Sequence, residues 1–292
     1  MATLNPTQLQ TKASSLAVHF VETRPDPSTS SPSLISQMRH RLRLATFWDI
    51  KPGSRVLEIG CGQGDTTIVL ADAVGSPFNL GQAQQHIKTS AVGSRVTFHT
   101  PMDPIEYLDS YTGPKYDYVV LSHCIYYFAT PLHLPLLVSA LTSHTKHLVI
   151  AEWSLTPSLL HPIQTYPHVL AALLLTHLES HRSVSSDGNI RTVLSPSQIK
   201  AFATQKNLKL EKEAVLEADE GLRDGYWEVR DLLSGERKER ELDELFTGEG
   251  KEKERVVAGA MFDALRSATD AVGGLEGVRC MSVWSGVFVL EE

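Results

Sequence analysis

The chain has 292 residues, enough for one α/β domain with insertions or for two small domains. Lys and Arg total 27 against 34 Asp and Glu, a formal charge of −7, so no global field favours DNA, RNA or an anionic membrane. At 42 % hydrophobic and 21 % charged the composition is that of a soluble folded chain, and Cys61, Cys124 and Cys280 are too few and too far apart for a disulfide framework or a zinc site.

These features imply a reducing, cytoplasmic setting. The N-terminus lacks a basic start followed by an apolar run. The longest apolar stretch, Val169 to Leu175, is too short to span a bilayer.

In chain order, residues 7–22 read as a helix, followed by the breaker stretch Arg24 to Pro32. A second helix is predicted from about Leu34 to Trp48. Its Arg39, His40, Arg41 and Arg43 read as a solvated face. Arg55 to Ile59 is a short strand, Asp65 to Val74 a helix, residues 79–92 another helix, and Arg95 to His99 a strand. Tyr116 to Ser122 is a strand, Pro131 to Ser143 a helix, and His147 to Glu152 a strand. That alternation predicts a doubly wound parallel sheet. Residues 155–182 form an apolar helical insertion. Ser195 caps a helix to Gln205, and Leu208 to Leu216 is a strand. The charged stretch 211–255 reads as solvent-facing helices and loops. Glu254 to Ala271 is a helix, and Met281 to Leu290 is a hairpin-edge or antiparallel strand.

The most informative stretch is Val56-Leu57-Glu58-Ile59-Gly60-Cys61-Gly62-Gln63-Gly64-Asp65. A strand ends at Gly60, three glycines alternate, and a helix begins near Asp65. Glycine allows positive φ and leaves room for a ligand against the backbone. The first turn of the next helix offers free N–H groups. The spacing is G-x-G-x-G, not the G-x-G-x-x-G of dinucleotide enzymes, with an acid two positions before the first glycine.

This stretch resembles the first motif of class I S-adenosylmethionine-dependent methyltransferases, and the resemblance covers about residues 52–153. It implies an α/β fold with a doubly wound, mostly parallel seven-stranded Rossmann-like sheet. A helical cap is expected at 1–48, with the methyltransferase domain at 49–292 and lid insertions at about 155–194 and 220–272. The implied cofactor is S-adenosyl-L-methionine, leaving as S-adenosyl-L-homocysteine. Glu58 would accept a hydrogen bond from its amino group, and Gly60, Cys61, Gly62 and Gly64 would line it. Met102 and Asp103 would meet the adenine, and Ser122 and His123 would lie at the end of the family's fourth strand.

One part of the family pattern is absent. Between its first two helices the family has a strand ending in an acid that holds both ribose hydroxyls. Here only Gly75-Ser76-Pro77-Phe78 separates Val74 from Asn79. Three readings are open: a segment missing from view, a true deletion, or a shorter helix with residues 71–74 extended. The first is preferred and predicts a chain break between about Ala73 and Phe78.

Methyl transfer from a sulfonium is a single displacement, so alignment and water exclusion dominate. A base helps with hydroxyl or carbon acceptors. His123 is the candidate base, and Glu152 is a candidate for orienting the acceptor. Tyr126, Tyr127 and Trp153 follow the same strand ends, and His19, His161 and Tyr166 are candidates for the acceptor pocket. His177 and His181 are four apart on one helix but lack a zinc-protease signature, so no metal is expected. The leading function is methyl transfer to a small-molecule acceptor by a monomer or homodimer, with no nucleic-acid or membrane partner. The compact core with large insertions resembles secondary-metabolite enzymes. The rivals are a protein or RNA methyltransferase, and a non-catalytic or cyclase relative.

Overall fold

In the computed structural model, the described residues are 4–19, 32–74, 87, 93–99, 102–183, 185–186 and 188–290. The strand leading to the glycine turn, β1 (Val56–Ile59), runs parallel to β2 (Tyr116–Ser122), with Ile59 opposite Leu121. β2 runs parallel to β3 (Thr145–Trp153). β4 (Leu208–Leu216) and β5 (Val283–Leu290) complete a five-stranded sheet of order β1-β2-β3-β5-β4. β5 is antiparallel to both of its neighbours, so the closing strand is interior to the sheet, not at its edge. Its hydrogen-bonding groups are thereby paired on both sides.

Alternation along the strands separates two layers. Tyr118, Val120, Val149 and Ala151 face a core shared with helices α1 (Pro6–Ala17), α2 (Pro32–Trp48) and α3 (Asp65–Val74). Val119, Leu121, Leu148 and Ile150 face a second core. It includes residues of α4 (Pro104–Ser110), α5 (His133–Leu141) and α7 (Pro196–Thr204). A third cluster is mostly helical. It joins α6 (Pro162–Glu179) to α8 (Asp224–Leu232), α9 (Arg237–Leu245) and α10 (Glu252–Ala271). α2 is pinned to the middle of the sheet: Trp48 Nε1 donates to Ser285 Oγ (2.8 Å), and that hydroxyl donates to the Ile150 carbonyl (2.9 Å).

Five strands are found among the described residues, against the seven expected over the whole chain. Two expectations need correction. The strand expected at 95–99 is instead a single turn of 3₁₀ helix at Gly93–Arg95, an isolated bridge at Val96 and irregular chain to His99. Val96 is buried and Phe98 packs on the core, so the apolar alternation marks a core-facing segment with no ladder of its own. The charged stretch 211–255 is also not wholly solvent-facing. Asp219 and Glu241 are buried and paired with arginines, and Val229, Leu232 and Phe246 enter the helical cluster.

The chain break expected near Ala73 to Phe78 lies largely on residues 75–78, outside those described, as does most of the helix expected at 79–92. α3 continues to Val74, which removes the reading with residues 71–74 extended. The sequence runs uninterrupted through this stretch and holds no Asp or Glu from residue 73 to 102.

Candidate active site

The turn after β1 holds Gly60, Gly62 and Gly64 all at positive φ (73°, 52° and 91°). The three glycines differ in what surrounds them. A Cβ on Gly60 would fall 2.6 Å from Cys124 Cβ, whereas a Cβ on Gly62 would meet nothing within 4 Å. Gly60 is therefore required for packing against the end of β2, and Gly62 leaves open space beside the backbone. Half-buried Glu58 accepts a hydrogen bond from the Thr67 hydroxyl. Burial pushes its carboxyl up to about 8 against the opposing pull of the Thr67 bond. Burial likewise pushes the Cys61 thiol up to about 12.

The wall opposite the turn comes from α2, which corrects the reading of its basic residues as a solvated face. Arg41 Nη2 lies 2.6 Å from Asp65 Oδ2, the acid in the first turn of α3, and its Nε donates to the same oxygen (2.7 Å). Arg39 holds buried Asp219 with two bonds of 2.6 and 2.8 Å, and Arg43 approaches the same carboxylate at 3.3 Å. His40 is 1 % exposed. The missed signal is Ser36-His40-Leu44-Trp48, a spacing of four that repeats on one face of the helix.

His123 follows β2 with φ at 50°, a strained backbone for a residue with a side chain. Its Nε2 lies 3.3 Å from His40 Nε2, and its Nδ1 lies 3.6 Å from Glu152 Oε1. Burial, with Arg41 nearby, depresses His123 to about 3, so the ring is neutral. Glu152 is 1 % exposed and accepts from the backbone N–H groups of Ile125 (3.1 Å) and Trp153 (3.0 Å). Burial pushes its carboxyl up to about 7 despite those bonds. The Trp153 ring lies 4.6 Å from His123 and 4.8 Å from His168 of α6. His168 Nδ1 accepts from the Met281 backbone N–H at 3.0 Å, so its proton sits on Nε2, which faces Glu228 of α8 at 3.3 Å. The chain His40–His123–Trp153–His168 thus crosses the carboxyl ends of β2 and β3, where doubly wound sheets bind their ligands.

Of the residues expected at the site, Glu58, Cys61, His123, Glu152 and Trp153 sit at these strand ends and the turn between them. Ser122 is buried and accepts from Thr66 at 3.4 Å. Tyr126 is buried and its hydroxyl donates to the Trp153 carbonyl. Tyr127 is 46 % exposed, and its carbonyl is held by Arg191. Asp103 caps α4, accepting from Ile105 N at 2.7 Å and Glu106 N at 3.3 Å, and the neighbouring Met102 is exposed. His19 follows the end of α1. His161 faces Glu220 at 3.9 Å. Tyr166 is exposed on α6, one residue before Pro167. Among the described residues, no hydrogen bond, ion pair or ring contact joins Met102, Asp103, His161 or Tyr166 to the glycine turn or to His123. Beyond His40 and Arg41, the sequence reading also missed Asp65 and Glu228 as site residues. Among the described residues no group of His, Cys, Asp and Glu could hold a metal, and no helix is long and apolar enough to cross a membrane.

A family model described as a methyltransferase domain matches residues 33–213. A crystal structure of a cyclopropane-fatty-acyl-phospholipid synthase-like protein from Lactobacillus casei is 25 % identical, with a TM-score of 0.77, covering 96 % of this chain and all of that one. A SAM-dependent methyltransferase from Archaeoglobus fulgidus is 16 % identical (TM-score 0.46; 87 % and 94 % covered). Magnesium protoporphyrin IX methyltransferase from Synechocystis, solved with SAH, is 17 % identical (TM-score 0.41; 74 % and 84 % covered). None of the curated proteins searched matches the sequence.

Proposed function

Because the chain belongs to the methyltransferase-domain family, of the class I S-adenosylmethionine-dependent kind, we propose that it transfers a methyl group to a small molecule with an apolar body. The observation that carries this reading is the glycine turn with open space at Gly62, beside Glu58 and the first turn of α3. The methionine half of S-adenosylmethionine fits that cradle. Glu58 would hold its ammonium group, Gly62 would admit it, and the N-terminus of α3 would face its carboxylate. The adenosine half has fewer groups to hold it. No carboxylate exists from residue 73 to 102, and Asp103 already uses one oxygen as a helix cap.

When bound, the cofactor supplies an activated methyl on sulfur. The protein has to aim the acceptor and exclude water. Arg41 fixes Asp65 and so the first turn of α3. Trp153 and the neutral His123 ring form an apolar wall. Leu159, Leu160 and Ile163, which are 91 %, 70 % and 62 % exposed, offer apolar surface before and at the start of α6. With the similarity to a fatty-acyl-phospholipid synthase-like protein, they support an apolar acceptor. Transfer of labelled methyl from S-adenosylmethionine to small-molecule extracts, but not to protein or RNA, is the expected result. Label appearing only in macromolecules would overturn this reading.

A further inference from the structure

The first turn of α8 brings a carboxylate to the site that no other group of the fold uses. Gly225 lies against the His168 ring, where a Cβ would fall 2.8 Å from Cγ, and its N–H donates to Cys280 Sγ at 3.3 Å. His168 in turn meets Trp153, and Trp153 meets His123. Asp224, one residue before Gly225, is half-buried, and with the described residues its side chain makes no hydrogen bond or ion pair. It is close enough to favour protonation of Arg41 and His123. Tyr127, 46 % exposed, lies on the same space. Partial burial, and then Asp224, Glu152 and Glu228, raise its phenol, and Arg41 opposes them. Arg41 is itself paired with Asp65, so carboxylates outnumber free cations here.

A second observation marks this space as one a ligand completes. Three buried polar atoms around it have no hydrogen-bond partner: His123 Nδ1, His168 Nε2 and Glu228 Oε2. The His123 and His168 side chains are only 9 % and 0 % exposed, and Glu228 lies one turn after Asp224 on the same face of α8. Orphaned polar atoms are rare in a folded interior. With two unpartnered carboxylates among the groups here, the matching ligand is a donor of hydrogen bonds that carries positive charge. Unlike buried His40, Asp224 and Tyr127 are open to solvent, so such a ligand can reach them.

We propose that Asp224 makes the methyl acceptor an amine, bound as an ammonium between the first turn of α8 and Tyr127 and methylated on nitrogen. The proposal rests on the methyl-transfer reading above and names its acceptor class. The bound ammonium first gives one proton to water at the exposed edge of the Asp224 carboxylate. The nitrogen lone pair then forms the bond to the methyl carbon, the carbon–sulfur bond breaks, and its electron pair stays on sulfur. Positive charge thereby moves from sulfur to nitrogen, where Asp224 stabilises it. The transfer itself needs no base, in keeping with His123: burial and Arg41 depress it to about 3, and its Nε2 faces His40. A hydroxyl acceptor would need the base that this ring does not supply.

Calorimetry on the full chain with phenethylamine and phenethyl alcohol, which share one apolar body, tests the choice. Each is titrated with and without S-adenosylhomocysteine. The wild type should bind the amine about tenfold tighter than the alcohol. Asp224→Asn keeps the size of the side chain and removes its charge. It should erase the preference by weakening the amine, with the alcohol unchanged. The denaturation midpoint should hold, because Asp224 pairs with no described group of the fold. An amine bound no better than the alcohol, with no binding of either included, overturns the proposal. So does a preference that survives Asp224→Asn, and the wild-type comparison decides even if the variant fails to fold. An amine preference without any binding of S-adenosylhomocysteine overturns the methyl-transfer reading instead.

Discussion

The two flanks of β1 are built differently. On the inner flank, β2, β3, β5 and β4 form a continuous ladder, and the strand ends converge with α2, α6 and α8 on one chain of rings and ion pairs. On the outer flank, where the family has its second and third strands, no strand pairs with β1 among the described residues. The segment that follows, 95–99, packs on the core without a ladder. The comparison teaches that one flank of the glycine turn is built from paired strands and buried side chains, while the stretch that follows the other flank, residues 73–102, carries no carboxylate. The glycine turn belongs to both flanks, and its three glycines divide between the tasks.

Substituting those glycines should sharpen the division most. Gly60→Val drives a Cβ into Cys124 and forces a β-branched residue to positive φ. Overpacking and backbone strain together should cost roughly 2–6 kcal/mol, a large part of a domain's stability, read as a fallen denaturation midpoint. Gly62→Leu projects into open space and carries only the strain of a side chain at positive φ, about 1–2 kcal/mol, so the fold should survive while the stabilisation by S-adenosylhomocysteine vanishes. In the wild type that stabilisation is about 2.7 kcal/mol at a ligand concentration near 100 times Kd. Retained binding in Gly62→Leu would remove the turn from the cofactor site.

Next in size is the clamp on the inner flank. Arg41→Met leaves Asp65 without its partner and removes a cation that disfavours protonated His40 and His123. Breaking a largely buried pair from one side costs about 3 kcal/mol, measurable by denaturant titration. A loss below about 0.5 kcal/mol would class the pair with ordinary surface ion pairs.

Asp103 probes the outer flank. Asp103→Ala should cost about 1 kcal/mol through loss of the α4 cap. Asp103→Asn keeps a capping oxygen, so its stability should hold. A weaker affinity for S-adenosylhomocysteine in Asp103→Asn, measured by calorimetry, would place this acid at the adenine, and an unchanged affinity would leave it a cap alone.

The smallest effect is protonic. Glu58 and Glu152 have folded values near 8 and 7, above the unfolded carboxylate value of about 4.3. The stability they confer is complete below about pH 4.3 and is lost as pH rises through 7 and 8. His40 and His123 are depressed, so their contribution is present above about pH 6.5 and is lost as pH falls. Between about pH 6.5 and 8 the carboxyls act alone, and stability should decline; Glu58→Gln should flatten that decline. A ligand ammonium at Glu58 should also expel up to one proton near pH 7, seen as a buffer-dependent calorimetric enthalpy. An enthalpy independent of buffer would separate Glu58 from the ligand.

Much of the inner flank was legible in the sequence. The strands expected at Tyr116 to Ser122 and His147 to Glu152 are β2 and most of β3, and Ser195 is the expected cap, closing a capping box with Gln198. The wall on α2 was not read, because four charged or titratable residues within five positions look like a solvated face until their partners are known. Those partners, Asp65, Asp219 and His123, lie 24, 180 and 83 residues away in sequence from Arg41, Arg39 and His40 respectively.

By itself, the sequence determined what depends on neighbours along the chain: the glycine turn, the helix caps, the strand periods and the absence of any acid between Asp72 and Asp103. Tertiary structure alone decided that β5 lies inside the sheet, that the apolar segment at Val96 gains no ladder, and that His123 turns Nε2 to His40 and Nδ1 towards Glu152. The physical reason is that pairing, burial and proton position are set by whichever groups the fold brings within a few ångströms, and local periodicity carries no record of those partners.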